Sequence, residues 1–200
     1  MKNFKVIGIG ATKLVGKDTL FTILNNIFPG KLERVGLADI LKAECDEFCL
    51  KHYGISAFTK IPSEKEILRY CFLSHGKIKR LLTKGTYWTG LIQERVDDII
   101  NDGLIPVCTD IRYAQYPEDE IFWLKNKNDG IYIHINRFNS DGSRIESNIK
   151  DEIEQEKILE KHADFRLNWQ TSADKTYLED TVKIQLKDLI SGIKTKYGIV

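Results

Sequence analysis

The chain has 200 residues, with 30 basic and 29 acidic side chains and a net charge of +1. A charge this balanced excludes bulk attraction to nucleic acid or to an anionic membrane, so any positive field must be local. The length suits one domain with a full core, and no apolar segment is long enough for a signal peptide or a membrane span. Cys45, Cys49, Cys71 and Cys108 form no Cys-x-x-Cys pair, and they read as reduced thiols in a cytoplasmic protein.

An apolar run over residues 4–10 predicts the first strand. It leads into Gly8-Ile9-Gly10-Ala11-Thr12-Lys13-Leu14-Val15-Gly16-Lys17-Asp18-Thr19. A helix over 17–28 follows, with Leu20, Phe21, Ile23, Leu24, Ile27 and Phe28 as an apolar stripe. Strand, glycine loop, Gly-Lys and helix is the order of a phosphate-binding P-loop. In such a loop backbone N–H groups and the helix N-terminus face the phosphates, and Lys17 adds a point charge. Gly10, Lys13, Gly16, Lys17, Asp18 and Thr19 are therefore the phosphate-side candidates. Two positions depart from the usual pattern: Ala11 stands where the first glycine is expected, and Asp18 replaces the serine or threonine. A strand–turn–helix corner with an incidental lysine is the alternative.

A strand is predicted over 34–37, then a helix over 39–53, in whose first turn Asp39 is either a site residue or a plain N-cap. Helices over 63–82 and 86–101 follow. Basic and aromatic residues gather from Lys77 to Arg95. There Arg80, with Arg69 just upstream, suits an anionic ligand, and Trp88 suits a flat one, unless it is core. The strand over 104–109 contains Pro106, expected as its first paired residue because proline cannot donate within a central strand.

Asp110-Ile111-Arg112 follows at the strand tip, where an acid can hold Mg²⁺ or its waters, or cap a turn. A helix over 117–127 and a strand over 131–135 come next. Residues 136–144 read as a mobile polar loop, with Arg137 and Arg144 placed to close over phosphates. The helix over 151–162 opens on an acidic run, Asp151, Glu152, Glu154 and Glu156, read as a solvated face. A strand over 165–168 and a helix over 174–193 finish the chain. The alternation predicts an α/β fold with a mainly parallel central sheet flanked by helices and ligands at the strands' carboxyl ends. Tyr87, Tyr113 and Trp169 join Trp88 as base-stacking or core aromatics, and the scattered histidines indicate no catalytic one.

In this order the chain resembles the deoxynucleoside monophosphate kinases of bacteriophages and bacteria. The resemblance rests on Gly16-Lys17-Asp18-Thr19, on Leu37-Ala38-Asp39-x-Leu41-Lys42, on Arg80-Leu81-Leu82 before Gly85-Thr86, and on Thr109-Asp110-Ile111-Arg112-Tyr113. It implies a three-layer P-loop kinase fold as a single domain over 1–200. Within it, a helical acceptor-binding region would span about 38–100 and a short lid about 136–150. The implied reaction is transfer of the γ-phosphoryl group of ATP, with Mg²⁺, to a (deoxy)nucleoside monophosphate.

Carried over, Lys17, Arg80, Asp110 and Arg112 would be catalytic, and Asp18 and Asp110 would face the metal. Gly10, Lys13, Gly16, Lys17, Asp18, Thr19, Arg137 and Arg144 would bind ATP. Asp39, Lys42, Arg69, Arg80 and Trp88 would bind the acceptor. The family's acid after the Asp-x-Arg segment is displaced here to Glu118 or Glu120. Partners would be small nucleotides rather than nucleic acid or membrane, with a homodimer left open. The location would be the host cytoplasm if the chain is of phage origin. Two alternatives stand: a P-loop kinase of another phosphorylated small molecule, of the phosphomevalonate or dephospho-coenzyme A type, and a nucleotide sensor that transfers nothing.

Overall fold

The structure, a computed structural model, describes residues 4–10, 15–147 and 150–199. Five strands, β1 (Ile7–Gly10), β2 (Leu32–Val35), β3 (Ile105–Ile111), β4 (Ile131–Phe138) and β5 (Phe165–Gln170), form one parallel sheet in the order β2-β3-β1-β4-β5. Burial on both faces accounts for the near-continuous apolar sequence of β1, β3 and the first half of β4. One face carries α1 (Lys17–Ile27), α7 (Lys175–Gln185) and α8 (Lys187–Tyr197), closing over Ile9, Leu20, Leu24, Ile133, Val182 and Leu189.

The other face is covered by α2 (Leu37–Tyr53), α4 (Thr86–Asn101) and a short helix, α5 (Glu120–Phe122), that continues as one π turn over Trp123–Lys127. The long α3 (Pro62–Thr83) lies outside, against α2 and α4, and α6 (Lys150–Lys161) precedes β5. The α/β architecture is the one the strand–helix alternation predicts.

Three local expectations change. β2 lies two residues earlier than the apolar pattern places it, ending at Val35. Pro106 is the second residue of β3, an interior strand, not its first. It is tolerated because Ile105 donates its N–H toward β2, to Lys31, so the proline nitrogen faces β1. There it sits below the first rung of that ladder, Ile7 opposite Val107, and no ladder bond is lost. The helix over 174–193 is two helices that meet at Leu186, whose φ is −107°. The bend leaves Gln185 against the outer edge of β5, where it accepts from the Asn168 N–H at 2.8 Å and donates to its carbonyl at 2.7 Å. One side chain thereby blunts an open sheet edge.

Candidate functional site

The loop between β1 and α1 is held at both ends. At Gly10 any Cβ would run into the Tyr132 hydroxyl of β4 and the Ile111 carbonyl of β3. At Gly16 φ is +99°, and a Cβ would come within 2.5 Å of the Trp169 ring. Trp169, buried on β5, donates its indole N–H to the Val15 carbonyl at 2.8 Å. The end of β5 thus fixes the return of the loop onto α1. Trp169 therefore packs as core rather than offering a stacking face, and this positioning role was not visible in its sequence neighbourhood. Residues 11–14, which include Ala11 and the candidate Lys13, lie outside the described residues.

Lys17 opens α1, half-buried. Its pKa falls to about 8, chiefly through burial and then through the charge of Arg112, while Asp110, Asp18 and Glu152 act in the opposite direction. These five groups form one charged cluster at the carboxyl ends of β1 and β3, the place where parallel sheets bind ligands. Thr19 is exposed one residue beyond Asp18.

Between Gly8 opposite Cys108 and Gly10 opposite Ile111, β3 carries one residue more than β1. This bulge lies at Thr109 and Asp110 and re-aims the side chain next to it. Asp110 is buried and accepts from the backbone N–H groups of Leu37 at 3.1 Å and Ala38 at 2.6 Å. Its turn-cap alternative is thus realised at long range: Gly36, the N-cap of α2, has no side chain, and Asp110 supplies the acceptor from another strand.

Asp39 is not an N-cap but stands in the first turn of α2. It pairs with Arg34 at 2.7 Å and Lys42 at 3.6 Å. Burial raises its pKa, but Arg34 and Lys42 outweigh that and hold the carboxyl below its ordinary range. Arg34 also reaches Asp18 at 3.7 Å, so charges of alternating sign run from Lys42 to the first turn of α1. Arg34 went unnoticed because the strand was placed over 34–37, which hid the fact that Arg34 stands at a strand's carboxyl end.

Arg80 is buried in a clamp. Its Nε lies 3.3 Å from Asp119, its Nη2 donates to Gln115 at 2.7 Å, and its guanidinium stacks 3.7 Å from the centre of the Tyr113 ring. Asp119 also accepts from the N–H groups of Gln115 and Tyr116. Of the two displaced acids, Glu118 is exposed and Glu120 is buried. Glu120 accepts from the backbone N–H groups of Arg112 at 2.5 Å and Tyr113 at 3.2 Å. Burial, with the nearby charges of Asp119 and Asp110, pushes its pKa up to about 8 against the pull of the Arg112 N–H and guanidinium. It therefore meets Arg112 through the backbone, leaving that exposed guanidinium beside Lys17.

Arg69 bridges Glu66 at 3.6 Å and Glu152 of α6 at 3.5 Å. The acidic run of α6 is therefore not simply solvated, because Glu152 faces the site. Trp88 corrects the stacking assignment: it is buried, donates its indole N–H to the Gly76 carbonyl at 3.3 Å, and meets Tyr87 edge-on at 4.8 Å. That leaves no ring face for a base.

The open loop expected over 136–144 is a tight hairpin extending β4. Asn139 N–H reaches Ser143 O at 2.8 Å, Gly142 N–H reaches Asn139 O at 3.0 Å, and Phe138 bridges Arg144. Asp141 accepts from the Ser143 N–H and hydroxyl and so stabilises the turn. Arg137 lies within β4 and donates to Thr171 at 3.0 Å. Arg144 pairs with Glu156 at 2.8 Å and Glu160 at 3.4 Å on α6, beside the buried His134. Both arginines are bound into the fold at this hairpin rather than carried on an open loop.

Among the described residues no group of three or more His, Cys, Asp or Glu side chains could hold a metal ion unaided. Asp110, Asp18 and Glu152 are the carboxylates that act on Lys17, and the first two are the ones the sequence offers for a metal. Such a sparse set suits Mg²⁺, which commonly takes one or two carboxylates together with phosphate oxygens and waters.

No protein-family model and no curated protein matches the chain. Among solved structures it is similar to a dephospho-CoA kinase from Campylobacter jejuni, with a TM-score of 0.53 and 16% identity, over 94% of this chain and 98% of that one. At that identity the likeness establishes the fold.

Proposed function

We propose that the protein is an ATP-dependent phosphotransferase that moves the γ-phosphoryl group of ATP to a (deoxy)nucleoside monophosphate. The observation that carries the reading is Lys17: a half-buried cation at a helix N-terminus, its pKa lowered to about 8, beside Arg112 at the mouth of a parallel sheet. Phosphate oxygens entering that position stabilise the ammonium and accept from the N-terminal amides of α1. The acceptor's phosphate oxygen then attacks the γ-phosphorus in line, the bond from that phosphorus to the β–γ bridging oxygen breaks and ADP leaves, while Lys17 and Arg112 neutralise the transferred group. A phosphate monoester is already largely ionised near neutral pH, so no strong general base is required. Asp18 and Asp110 would hold Mg²⁺ together with the phosphates, and the ion would supply further charge neutralisation. Arg69, on the helical side of the cleft, is the cation for the acceptor phosphate, and Asp39 and Lys42 in the first turns of α2 complete the acceptor side. Arg80 supports that side through Asp119.

A second reading, transfer to a dephospho-coenzyme A type acceptor, is favoured by the full-length likeness to the Campylobacter jejuni enzyme. The test is ADP release from Mg²⁺-ATP with each common ribo- and deoxyribonucleoside monophosphate, and separately with dephospho-coenzyme A. Turnover dependent on a nucleotide upholds the first reading, and turnover with dephospho-coenzyme A alone replaces it with the second. ATP binding without acceptor-dependent turnover overturns both in favour of a sensor.

A further inference from the structure

The inner side of α3 is fully used. Leu68 joins Cys45 and Cys49 of α2, and Arg69 and Arg80 reach α6 and the loop after β3. Its outer side carries a second apolar stripe: Ile67, Tyr70, Ile78 and Leu81 are 60%, 73%, 54% and 51% exposed. Spaced three and four residues apart with Ser74 between them, they make a continuous ridge about 20 Å long. Ile67, Tyr70, Ser74 and Ile78 also form one wall of a groove of about 710 Å³ between α2 and α3, with Phe48 and Tyr53 across from them. The last two are half exposed. A helix apolar on both sides is a helix with something on each side of it.

We infer that this face is the interface of a homodimer in which two α3 helices cross antiparallel about a two-fold axis near Ser74. The stripe is self-complementary about that residue. The axis brings Ile67 opposite the partner's Leu81 and Tyr70 opposite the partner's Ile78, with Glu64 toward the partner's Lys84. Small Ser74 at the centre lets the two backbones approach, and each ridge fills the other's groove, as an isologous contact requires. The area agrees. At about 200 Å² for a large side chain, the four stripe residues with Phe48 and Tyr53 expose on the order of 650 Å². That exceeds the roughly 300–600 Å² of the largest apolar patch on a typical monomer and approaches the roughly 800 Å² each partner gives to a standard interface. The inference stands apart from the kinase reading, since no stripe residue belongs to the proposed site.

Sedimentation velocity on the full chain across micromolar concentrations tests it. The native chain should sediment as a dimer. Tyr70→Glu combined with Ile78→Glu should weaken association about a hundredfold or more, with unchanged helical circular dichroism. Ser74→Cys should cross-link to itself under mild oxidation beyond the level of the native chain, whose own cysteines serve as the control. A native chain that stays monomeric overturns the inference, and if it then binds neutral phospholipid vesicles, a lipid surface takes the partner's place. A dimer that survives the glutamate pair, or one in which Ser74→Cys adds no cross-link, places the interface elsewhere and overturns it too.

Discussion

On the α1 side of the sheet, an unbroken apolar layer runs from Ile7 and Ile9 through Leu20 and Leu24 to Trp169, and the phosphate loop returns directly onto it. On the other face α4 packs a second apolar layer, with Trp88, Ile92 and Val96, but farther out, between α2 and α3, the buried core shrinks to Cys45, Cys49 and Leu68. Polar ties take over there: Asp110 holds the start of α2, and Arg80 with Asp119 holds the end of α3. One half of the cleft is thus fixed by shape and the other by charge. Substitutions that change volume should damage the first half, and substitutions that remove charge should damage the second.

Lys17 gives the largest expected effect, because it is a charge set into the half governed by shape. Lys17→Met should lower turnover about 10²–10³-fold, as losing one preorganised electrostatic contact does. The same change should raise the melting temperature at pH 7. The folded pKa of about 8 lies below the ordinary 10.5, so between those values the unfolded chain holds the extra proton. The native protein therefore gains stability as pH rises through that window, and below it the charged lysine opposes folding. Melting curves of both proteins should converge above about pH 10. Retained turnover in Lys17→Met would sink the P-loop assignment.

Arg80 is the counterpart in the half governed by charge. Arg80→Ala strands the fully buried Asp119 and should cost about 3–5 kcal/mol, visible as a lower melting temperature. Removing Asp119 as well should recover part of that loss. A direct contact between Arg80 and the acceptor phosphate predicts the opposite pattern: a raised KM for the acceptor with an unmoved melting temperature.

The same contrast explains how much the sequence disclosed. The strand–loop–helix around Gly16 and Lys17 was legible because its signals are local: an apolar run, a Gly-Lys pair and a 3.6-residue stripe. Fold class followed from the same periodicity. The charge network was not legible, because its pairs join distant segments: Asp110 with residues 37 and 38, Arg80 with Asp119, Arg69 with Glu152. Nothing near Arg144 in sequence announces that Glu156 and Glu160 hold it. Trp88 shows the limit of composition, since an aromatic among lysines looks like a ligand contact until its burial is known.

Gly16 and Trp169 probe shape at smaller scale. Gly16→Ala forces a side chain into a left-handed backbone, at about 1–2 kcal/mol, and against the Trp169 ring. Trp169→Phe keeps most of the volume but loses the bond to the Val15 carbonyl, worth about 1 kcal/mol. Both should raise the KM for ATP, Gly16→Ala more, and leave the KM for the acceptor unchanged. Equal effects on the two substrates would mean that the β5 clamp does not act through the phosphate loop.

Glu120→Gln should have the smallest effect, and its sign depends on pH. With a folded pKa of about 8 against an ordinary 4.5, the native protein holds the proton between those values while the unfolded chain has lost it. Stability from this group is therefore full below about pH 4.5 and declines until about pH 8, where it levels off. Glutamine keeps an oxygen for the N–H groups of Arg112 and Tyr113 but cannot ionise. The melting-temperature difference, variant minus native, should therefore climb from about pH 5 to pH 8 and then flatten. Its value at low pH reports only what the amide costs in that buried position, so the slope alone measures ionisation. A flat difference across the range would mean that the carboxyl is not held protonated by its burial. The turn carrying Arg112 would then be fixed by a charged acceptor, extending the rule of charge to the centre of the cleft.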